Sequence, residues 1–294
     1  MGQFRVDTTE DAAEALAHAE SFLFRRPVEH NLVLSILNQR LAHFEPGRYW
    51  VVRNHGEVNG FALRSPLTFA ATVTPMAAPA IAALVDTVVA DAPDLPGISG
   101  EAGTVAAFAG YWAERARVCA QPLEAQRLYK LDGAPNARPA PGSLRLARVA
   151  DADVLVEWSK DFQAEIGLPH PGDIAEVTRR RILGARLWVW EDQDDQPVSA
   201  AGATGAVAGV TRVNFVYTPP EHRRQGYASA CVSALSAHLR VAEANTCVLY
   251  AQLTNPTSNG VYCSIGYRPV IEVLLYRFGR RGLRLDEQAP AGGR

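Results

Sequence analysis

A chain of 294 residues, 48% hydrophobic and 20% charged, has enough apolar side chain to bury two cores, which excludes a chain disordered throughout. Lys and Arg number 29 against 31 Asp and Glu, and this net charge of -2 argues against general attraction to nucleic acid or to an anionic membrane. No apolar run approaches the roughly 20 residues that span a bilayer, and residues 1–9 lack the basic and then apolar segments of a signal peptide, so the expected location is the cytoplasm.

In chain order, helices are expected at 9–24, with Thr8 or Thr9 as N-cap, and at 31–43. Strands follow at 49–53, 59–64 and 68–74, then a helix at 77–90, a short strand at 97–100, a helix at 104–115 and a strand at 125–131. Residues 132–142, DGAPNARPAPG, carry three prolines and no large apolar side chain and read as a linker. Beyond it come a strand at 144–148, helices at 150–165 and 173–183, and strands at 186–191, 198–207 and 212–217. A helix at 226–241, a strand at 247–253, a helix at 256–265 and a strand at 270–278 complete the order. The expected division is a first domain over 1–132, a linker at 133–142, a second domain over 143–280 and a flexible tail at 281–294.

The two halves repeat. Arg48-Tyr49-Trp50-Val51-Val52 matches Arg186-Leu187-Trp188-Val189-Trp190 at an offset of 138 residues. Val73-Thr74-Pro75 matches Tyr217-Thr218-Pro219, and Leu128-Tyr129-Lys130-Leu131 matches Leu275-Tyr276-Arg277-Phe278, with the offset drifting to 144 and then 147. Loop insertions in the second copy produce such a drift, and the order of elements makes each copy mixed α/β. Cys119, Cys231, Cys247 and Cys263 form no C-x-x-C pair and have no nearby histidine in ligand register. They read as small buried hydrophobes, and neither a disulfide framework nor a metal site is expected.

The segment most charged with chemistry is VYTPPEHRRQGYASA, 216–230. A strand with Val213, Phe215 and Tyr217 expected on one face runs through Pro219-Pro220 into Arg223-Arg224-Gln225-Gly226-Tyr227-Ala228 and then a helix. A helix N-terminus offers unpaired N–H groups and the positive end of its dipole, so it suits a phosphate. Gly226 and Ala228 let a pyrophosphate approach the main chain, and Arg223 and Arg224 add charge. No Gly-Lys-Ser/Thr follows and no G-x-G-x-x-G is present, which sets aside nucleotide hydrolysis and hydride transfer.

This Arg-x-x-Gly-x-Ala pattern, after a strand and a proline turn, resembles motif A of the GNAT N-acetyltransferase superfamily. Asn255-Pro-Thr-Ser258-Asn259-Gly-Val-Tyr262-Cys-Ser-Ile-Gly266-Tyr267 resembles the family's Asn-x-x-Ala-x-x-x-Tyr-x-x-x-Gly-Phe signature, with Ser258 for the small residue and Tyr267 for the common Phe. The direct resemblance covers about 144–278, and the repeat extends it to the first copy. It implies a tandem α/β fold, each copy a mixed twisted sheet flanked by helices and splayed open in the second copy between the strand ending at Tyr217 and the next parallel strand. Acetyl-CoA is the implied co-substrate, with no metal. Main-chain groups around Val216, Tyr217 and Thr218 are implied to pair with the pantetheine arm, and the loop and helix start formed by Arg223, Arg224, Gln225, Gly226, Tyr227, Ala228 and Ser229 to hold the pyrophosphate. Asn255 and Asn259 join this cofactor set, and Tyr262 is implied to sit by the thioester sulfur.

Acetyl transfer to an amine needs a proton for the departing thiolate, and Tyr262 suits that task as general acid, against the alternative of a core tyrosine. Asn214 stands where some relatives carry a glutamate, and neither it nor Gln252 can act as a base. Water, Asp161, Glu165 or Glu191 are the alternatives, although each carboxylate also reads as solvated surface, as does His222. The first copy has Met76-Ala-Ala-Pro-Ala in place of the phosphate loop and only Tyr111 as a loose counterpart of Tyr262, so it reads as a degenerate copy. The segment 167–173, GLPHPGD, is expected on the acceptor side. Two functions follow: an N-acetyltransferase acting on a small-molecule or protein amine, or a catalytically weak acyl-CoA-binding regulatory or scaffold protein.

Overall fold

The structure, a computed structural model, describes residues 4–136, 138–167, 172–242 and 246–280. The expected tail and most of the 167–173 segment lie outside them. Contacts divide the chain into two units, one formed by residues up to Leu128 with Gln252–Thr254 and the stretch from Val270, the other by Tyr129–Ala251 with Asn255–Pro269.

The first copy runs β1 (Arg5–Thr9), α1 (Ala12–Leu23), α2 (Asn31–Ala42), β2 (Arg48–Asn54), β3 (Glu57–Arg64), β4 (Ala71–Val73), α3 (Ala78–Asp91), β5 (Gly97–Glu101), α4 (Ala102–Arg115) and β6 (Val118–Leu131). The second repeats that order as β7 (Ser143–Leu146), α5 (Ala152–Ile166), α6 (Ile174–Leu183), β8 (Leu187–Glu191), β9 (Pro197–Ala203), β10 (Val210–Tyr217), α7 (Tyr227–Ala242), β11 (Thr246–Gln252), α8 (Pro256–Ile265) and β12 (Tyr267–Arg280). The sequence matches fall on β2 and β8, on the ends of β4 and β10, and on β6 and β12. Helix α1 starts later than expected because residues 5–9 pair as β1 with β2; its cap is Asp11, whose Oδ1 accepts from the N–H groups of Ala13 and Glu14 at 2.7 and 3.2 Å.

In the first unit, β1 to β4 are antiparallel neighbours, and β4 then runs parallel to β5. A parallel pair needs a long crossover, and α3 supplies it. Trp50 and Val52 of β2 pack against Ile81, Leu84 and Val85 of α3 in one core with Trp112 of α4. The last strand, which the sequence places in the second copy, is built into this unit: Val273–Arg277 of β12 pairs antiparallel with β5, and Phe278 stacks on Trp112 at 5.6 Å. Gly97 permits this pairing, since a Cβ there would lie 2.3 Å from the Tyr276 carbonyl oxygen.

In the second unit, β7 to β10 are antiparallel neighbours and β10 is parallel to β11. Helix α7 buries Cys231, Leu235 and Leu239 against Trp188, Val198 and Leu249 on one side of the sheet, while α5 and α6 bury Leu155, Trp158 and Ile182 against Val189 and Ala200 on the other. The linker is packed onto this unit. The N–H of Asn136 donates to the Ile265 carbonyl at 2.7 Å, Ser233 Oγ donates to the Asn136 carbonyl at 2.8 Å, and Trp190 Nε1 donates to the Pro141 carbonyl at 2.8 Å. Cys231 and Cys247 are buried as expected and Cys119 half-buried, whereas Cys263 is exposed. Among the described residues no helix is long and apolar enough to cross a membrane.

Candidate functional site

Strand β10 changes character midway. It pairs with β9 through Val213↔Ala203 and Asn214↔Gly202, but the next partner is Tyr217↔Ala200, so one extra residue is accommodated. Phe215 takes a positive φ of 48° to do so. This β-bulge corrects the face expected from alternation: Val213 packs with the α7 core, while Phe215 and Tyr217 turn to the α5 and α6 side. Gly202 makes room, because a Cβ there would stand 2.7 Å from Asn214 Oδ1. A glycine inside a strand signals such a bulge, and the sequence reading missed it.

The bulge also opens the sheet. The parallel ladder between β10 and β11 covers Val210↔Thr246 to Arg212↔Val248 and stops there, although both strands continue. Val213–Tyr217 therefore faces a gap on that side. Val216, half-buried, packs against the same apolar cluster as Tyr227 and Tyr262. Ser199, which sequence reasoning passed over, pins the end of the strand. Its hydroxyl donates to the Tyr217 carbonyl at 3.0 Å and lies 2.8 Å from Thr218 Oγ1.

Between the gap and α7 the chain makes a tight turn. Arg224 and Gly226 both have positive φ, 63° and 88°, and α7 begins at Tyr227. Only the Ala230 N–H closes the first helical turn, onto the Gly226 carbonyl at 3.0 Å. Among the described residues, the main-chain N–H groups from Arg224 to Ser229 meet no acceptor. At Gly226 an added Cβ would have only Ala140 Cβ near it, at 3.9 Å, so the space over the loop is open and suits a large anion at a helix start. The two arginines differ. Arg223 donates from Nε to the Thr218 carbonyl at 2.8 Å and from Nη2 to Glu165 at 2.5 Å, and lies 5.7 Å over the Tyr217 ring. Arg224 is exposed and has no such partner among the described residues. Gln225 donates to the Glu221 carbonyl at 3.1 Å, and the rings of His222 and Tyr227 meet edge to face at 6.3 Å.

Helix α8 carries the second motif. Asn255 is its N-cap, with Oδ1 accepting from the Ser258 N–H at 3.0 Å. Asn259 is held between the Tyr129 hydroxyl, which donates to its Oδ1 at 2.7 Å, and the Asn255 carbonyl, which accepts from its Nδ2 at 2.7 Å. Tyr262 is buried and meets Tyr267 edge to face at 6.2 Å. Burial pushes its phenol up to about 12, and its hydroxyl has no protein partner among the described residues.

The carboxylates considered as bases are engaged. Asp161 accepts from the Tyr217 hydroxyl at 3.3 Å, Glu165 pairs with Arg223, and Glu191 holds Arg145 at 2.7 Å. Gln252 belongs to the first unit, where it donates to Glu124 at 2.9 Å. In that unit the counterpart of the loop before α7 is closed on itself. Pro79 offers no N–H, the Ala80 N–H donates to the Ala77 carbonyl at 2.9 Å, and the Met76 N–H donates to Thr104 Oγ1 at 3.2 Å. The ladder between β4 and β5 covers every residue of β4, so no gap opens.

Residues 197–275 match the model of a family described as FR47-like protein. A GCN5-related N-acetyltransferase from Sphaerobacter thermophilus has a similar structure, with a TM-score of 0.65 at 14% identity over 96% of this chain and 98% of that one. An acetyltransferase from the GNAT family of Colwellia psychrerythraea gives a TM-score of 0.59 at 12% identity, covering 94% of this chain and 100% of that chain. A tandem GNAT protein from the clavulanic acid biosynthesis pathway gives 0.56 at 14% identity, with 96% and 100% covered. No curated protein matches the chain in sequence. Residues 197–275 are thus similar to the FR47-like family, and they are set in a tandem GNAT fold, shared end to end with these structures, whose first copy has no Arg-x-x-Gly-x-Ala loop.

Proposed function

We propose that the second unit transfers an acetyl group from acetyl-CoA to a primary amine by direct attack in a ternary complex. The observation that carries this reading is the run of unpaired main-chain N–H groups from Arg224 to Ser229, set beside the gap where β10 leaves β11. Acetyl-CoA brings a thioester carbonyl already activated toward acyl transfer. The loop amides and Arg224 hold its pyrophosphate, while Arg223, tied to Glu165, fixes the loop's shape rather than adding a free charge. The unpaired edge at Val216, with Tyr217 and Thr218 following, receives the amides of the pantetheine arm. Asn255 caps α8 and, with Asn259, keeps Tyr262 in place.

In the reaction the amine nitrogen forms a bond to the carbonyl carbon, the carbon–sulfur bond breaks, and the amine's proton leaves to water in the gap. Tyr262 donates a hydrogen bond to the sulfur as it departs. Full proton transfer from a phenol near 12 to a thiolate whose thiol lies near ~8.5 is uphill by ~5 kcal/mol. The hydroxyl therefore stabilises the developing charge first, and the final proton comes from solvent. Holding both substrates in one cleft supplies much of the remaining rate.

The second reading, an acyl-CoA-binding protein with little turnover, is favoured by one observation: Asp161, Glu165 and Glu191 all have partners, so no free base stands out. Titration of acetyl-CoA into the protein, followed by thiol release across a panel of amines, separates the two. Binding with amine-dependent thiol release supports the transferase; binding without release from any amine supports the second reading; no binding rejects both.

A further inference from the structure

Helix α8 carries Tyr262, and its far end is closed by the proline-rich segment that reads in sequence as a linker. A helix leaves its last four carbonyls without partners of its own. In α8 the first two of these, on Tyr262 and Cys263, accept from the N–H of Gly266, which takes a left-handed φ of 116°. The other two are taken up from outside the helix. The Ser264 carbonyl accepts from Asn136 Nδ2 at 3.0 Å and from Arg138 Nη2 at 2.7 Å, and the Ile265 carbonyl accepts from the Asn136 N–H at 2.7 Å. The Arg138 charge also meets the negative end of the helix dipole.

Asn136 spends its remaining main-chain group on a different helix. Its carbonyl accepts from Ser233 Oγ of α7 at 2.8 Å. One residue thus joins the helix that follows the Arg224–Ser229 loop to the helix that bears Tyr262. Farther along, Ala140 packs on the α7 core, 3.9 Å from where a Cβ on Gly226 would stand, and the Pro141 carbonyl accepts from Trp190 Nε1 at 2.8 Å. Pro135, Pro139 and Pro141 fix φ along the stretch, which makes it a stiff brace rather than a slack tether. Toward the start of α8, Tyr129 of β6, buried in the same core, donates to Asn259 Oδ1 at 2.7 Å.

We infer that the segment from Tyr129 to Pro141 is a positioning element of the site, in which Asn136 and Arg138 set where α8 holds the Tyr262 hydroxyl relative to the loop before α7. These residues touch no reacting atom and act only through α8. Both ends of that helix depend on them: Tyr129 steadies the turn that contains Asn259, and Asn136 with Arg138 satisfies the last two carbonyls. The effect on rate rests on the transferase reading, whereas the hold on α8 is measurable without turnover.

The test uses the full chain and reads kcat and KM for acetyl-CoA, by thiol release with the most active amine of the panel, together with amide hydrogen exchange across α8. Asn136 and Arg138 are exposed, so Asn136→Ala combined with Arg138→Ala strips the Ser264 carbonyl of its donors and leaves the core intact. A shift of ~1 Å far from the chemistry can cost ~100-fold in rate. The double variant should therefore lose at least about tenfold in kcat, with KM for acetyl-CoA within about twofold. Exchange in α8 should quicken at least about tenfold. Arg138→Lys alone keeps a cationic donor and should stay within about twofold of wild type in kcat, while Ser233→Ala, which frees Asn136 from α7, should lower kcat in the same direction. In a Tyr262→Phe chain the double replacement should lower kcat no further, because the brace acts through that hydroxyl. Unchanged exchange in α8, an unchanged kcat, or an equal loss of kcat with and without the Tyr262 hydroxyl overturns the inference. Absence of amine-dependent thiol release in the wild-type chain overturns the transferase reading instead, and the exchange measurement then decides by itself whether the segment holds α8.

Discussion

Tyr262 and Tyr267 stand five residues apart in one core and differ in a way that separates catalysis from folding. The Tyr267 hydroxyl is fully buried and bonded to Ser236 Oγ at 2.8 Å. The Tyr262 hydroxyl has no protein partner among the described residues. Tyr267→Phe therefore orphans a buried serine hydroxyl and should cost ~1–3 kcal/mol, seen as a fall in melting temperature of roughly 3–10 °C for a unit of this size. Its kcat should stay near wild type once the protein is folded. Tyr262→Phe removes an oxygen that bonds nothing in the protein, so stability should move by no more than ~0.5 kcal/mol. If the hydroxyl assists the departing thiolate, kcat should fall ~100-fold or more with little change in acetyl-CoA affinity. The assays are thermal melts, acetyl-CoA titration and thiol release at saturating substrates. A Tyr262→Phe enzyme within about threefold of wild type in kcat, with the chemical step limiting, would falsify the role given to Tyr262, and a marked loss of stability would show that its hydroxyl has a structural partner after all.

Gly226→Val places a branched side chain at a φ of 88° over the phosphate loop and should weaken acetyl-CoA binding beyond detection in calorimetry, while the circular dichroism spectrum stays that of the wild type; normal binding would mean the loop holds no pyrophosphate. Arg224→Gln should weaken acetyl-CoA severalfold and flatten the salt dependence of binding, whereas Arg223→Gln should chiefly release Glu165, so an effect of Arg223 equal to that of Arg224 on the salt slope would contradict the division of labour between them. Burial raises the phenols of both Tyr262 and Tyr267 above their unfolded value of ~10, so the stability held in keeping them protonated is present below that pH and drains away as pH rises through the folded values. Melting temperature should decline above about pH 10, and less steeply in Tyr262→Phe; identical alkaline slopes in the two proteins would count against its burial.

The repeat and the tight turn before α7 were legible because both are local. Trp50 and Trp188 mark equivalent strands, and the Arg-Gln-Gly turn announces a helix start with little help from the rest of the chain. The bulge was legible in principle through Gly202, but strict alternation put Phe215 on the wrong face, since a single inserted residue inverts every side chain that follows it. The destination of β12 was not legible. Its apolar period fixes a strand, but pairing with β5 depends on Gly97, far away in sequence, which lets the Tyr276 carbonyl come close. The pairing of Arg223 with Glu165 was hidden for the same reason: nothing near Arg223 in sequence announces a carboxylate from another helix.

The contrast between the copies follows from where each leaves its backbone polar groups. A phosphate site is costly to keep in the absence of ligand, because a run of N–H groups must stay unpaired and a strand must leave its neighbour early. The second unit keeps both, with Ser199 anchoring the strand end and the α7 core of Cys231, Leu235 and Leu239 holding the helix against the sheet. The first unit has resolved both. Its β4 stops where its ladder stops, Pro79 deletes one N–H, and Ala77 and Thr104 take up two others. Restoring an Arg-x-x-Gly-x-Ala sequence there would supply charge without the gap, so the first copy differs from the second in its strand pairing as much as in its loop.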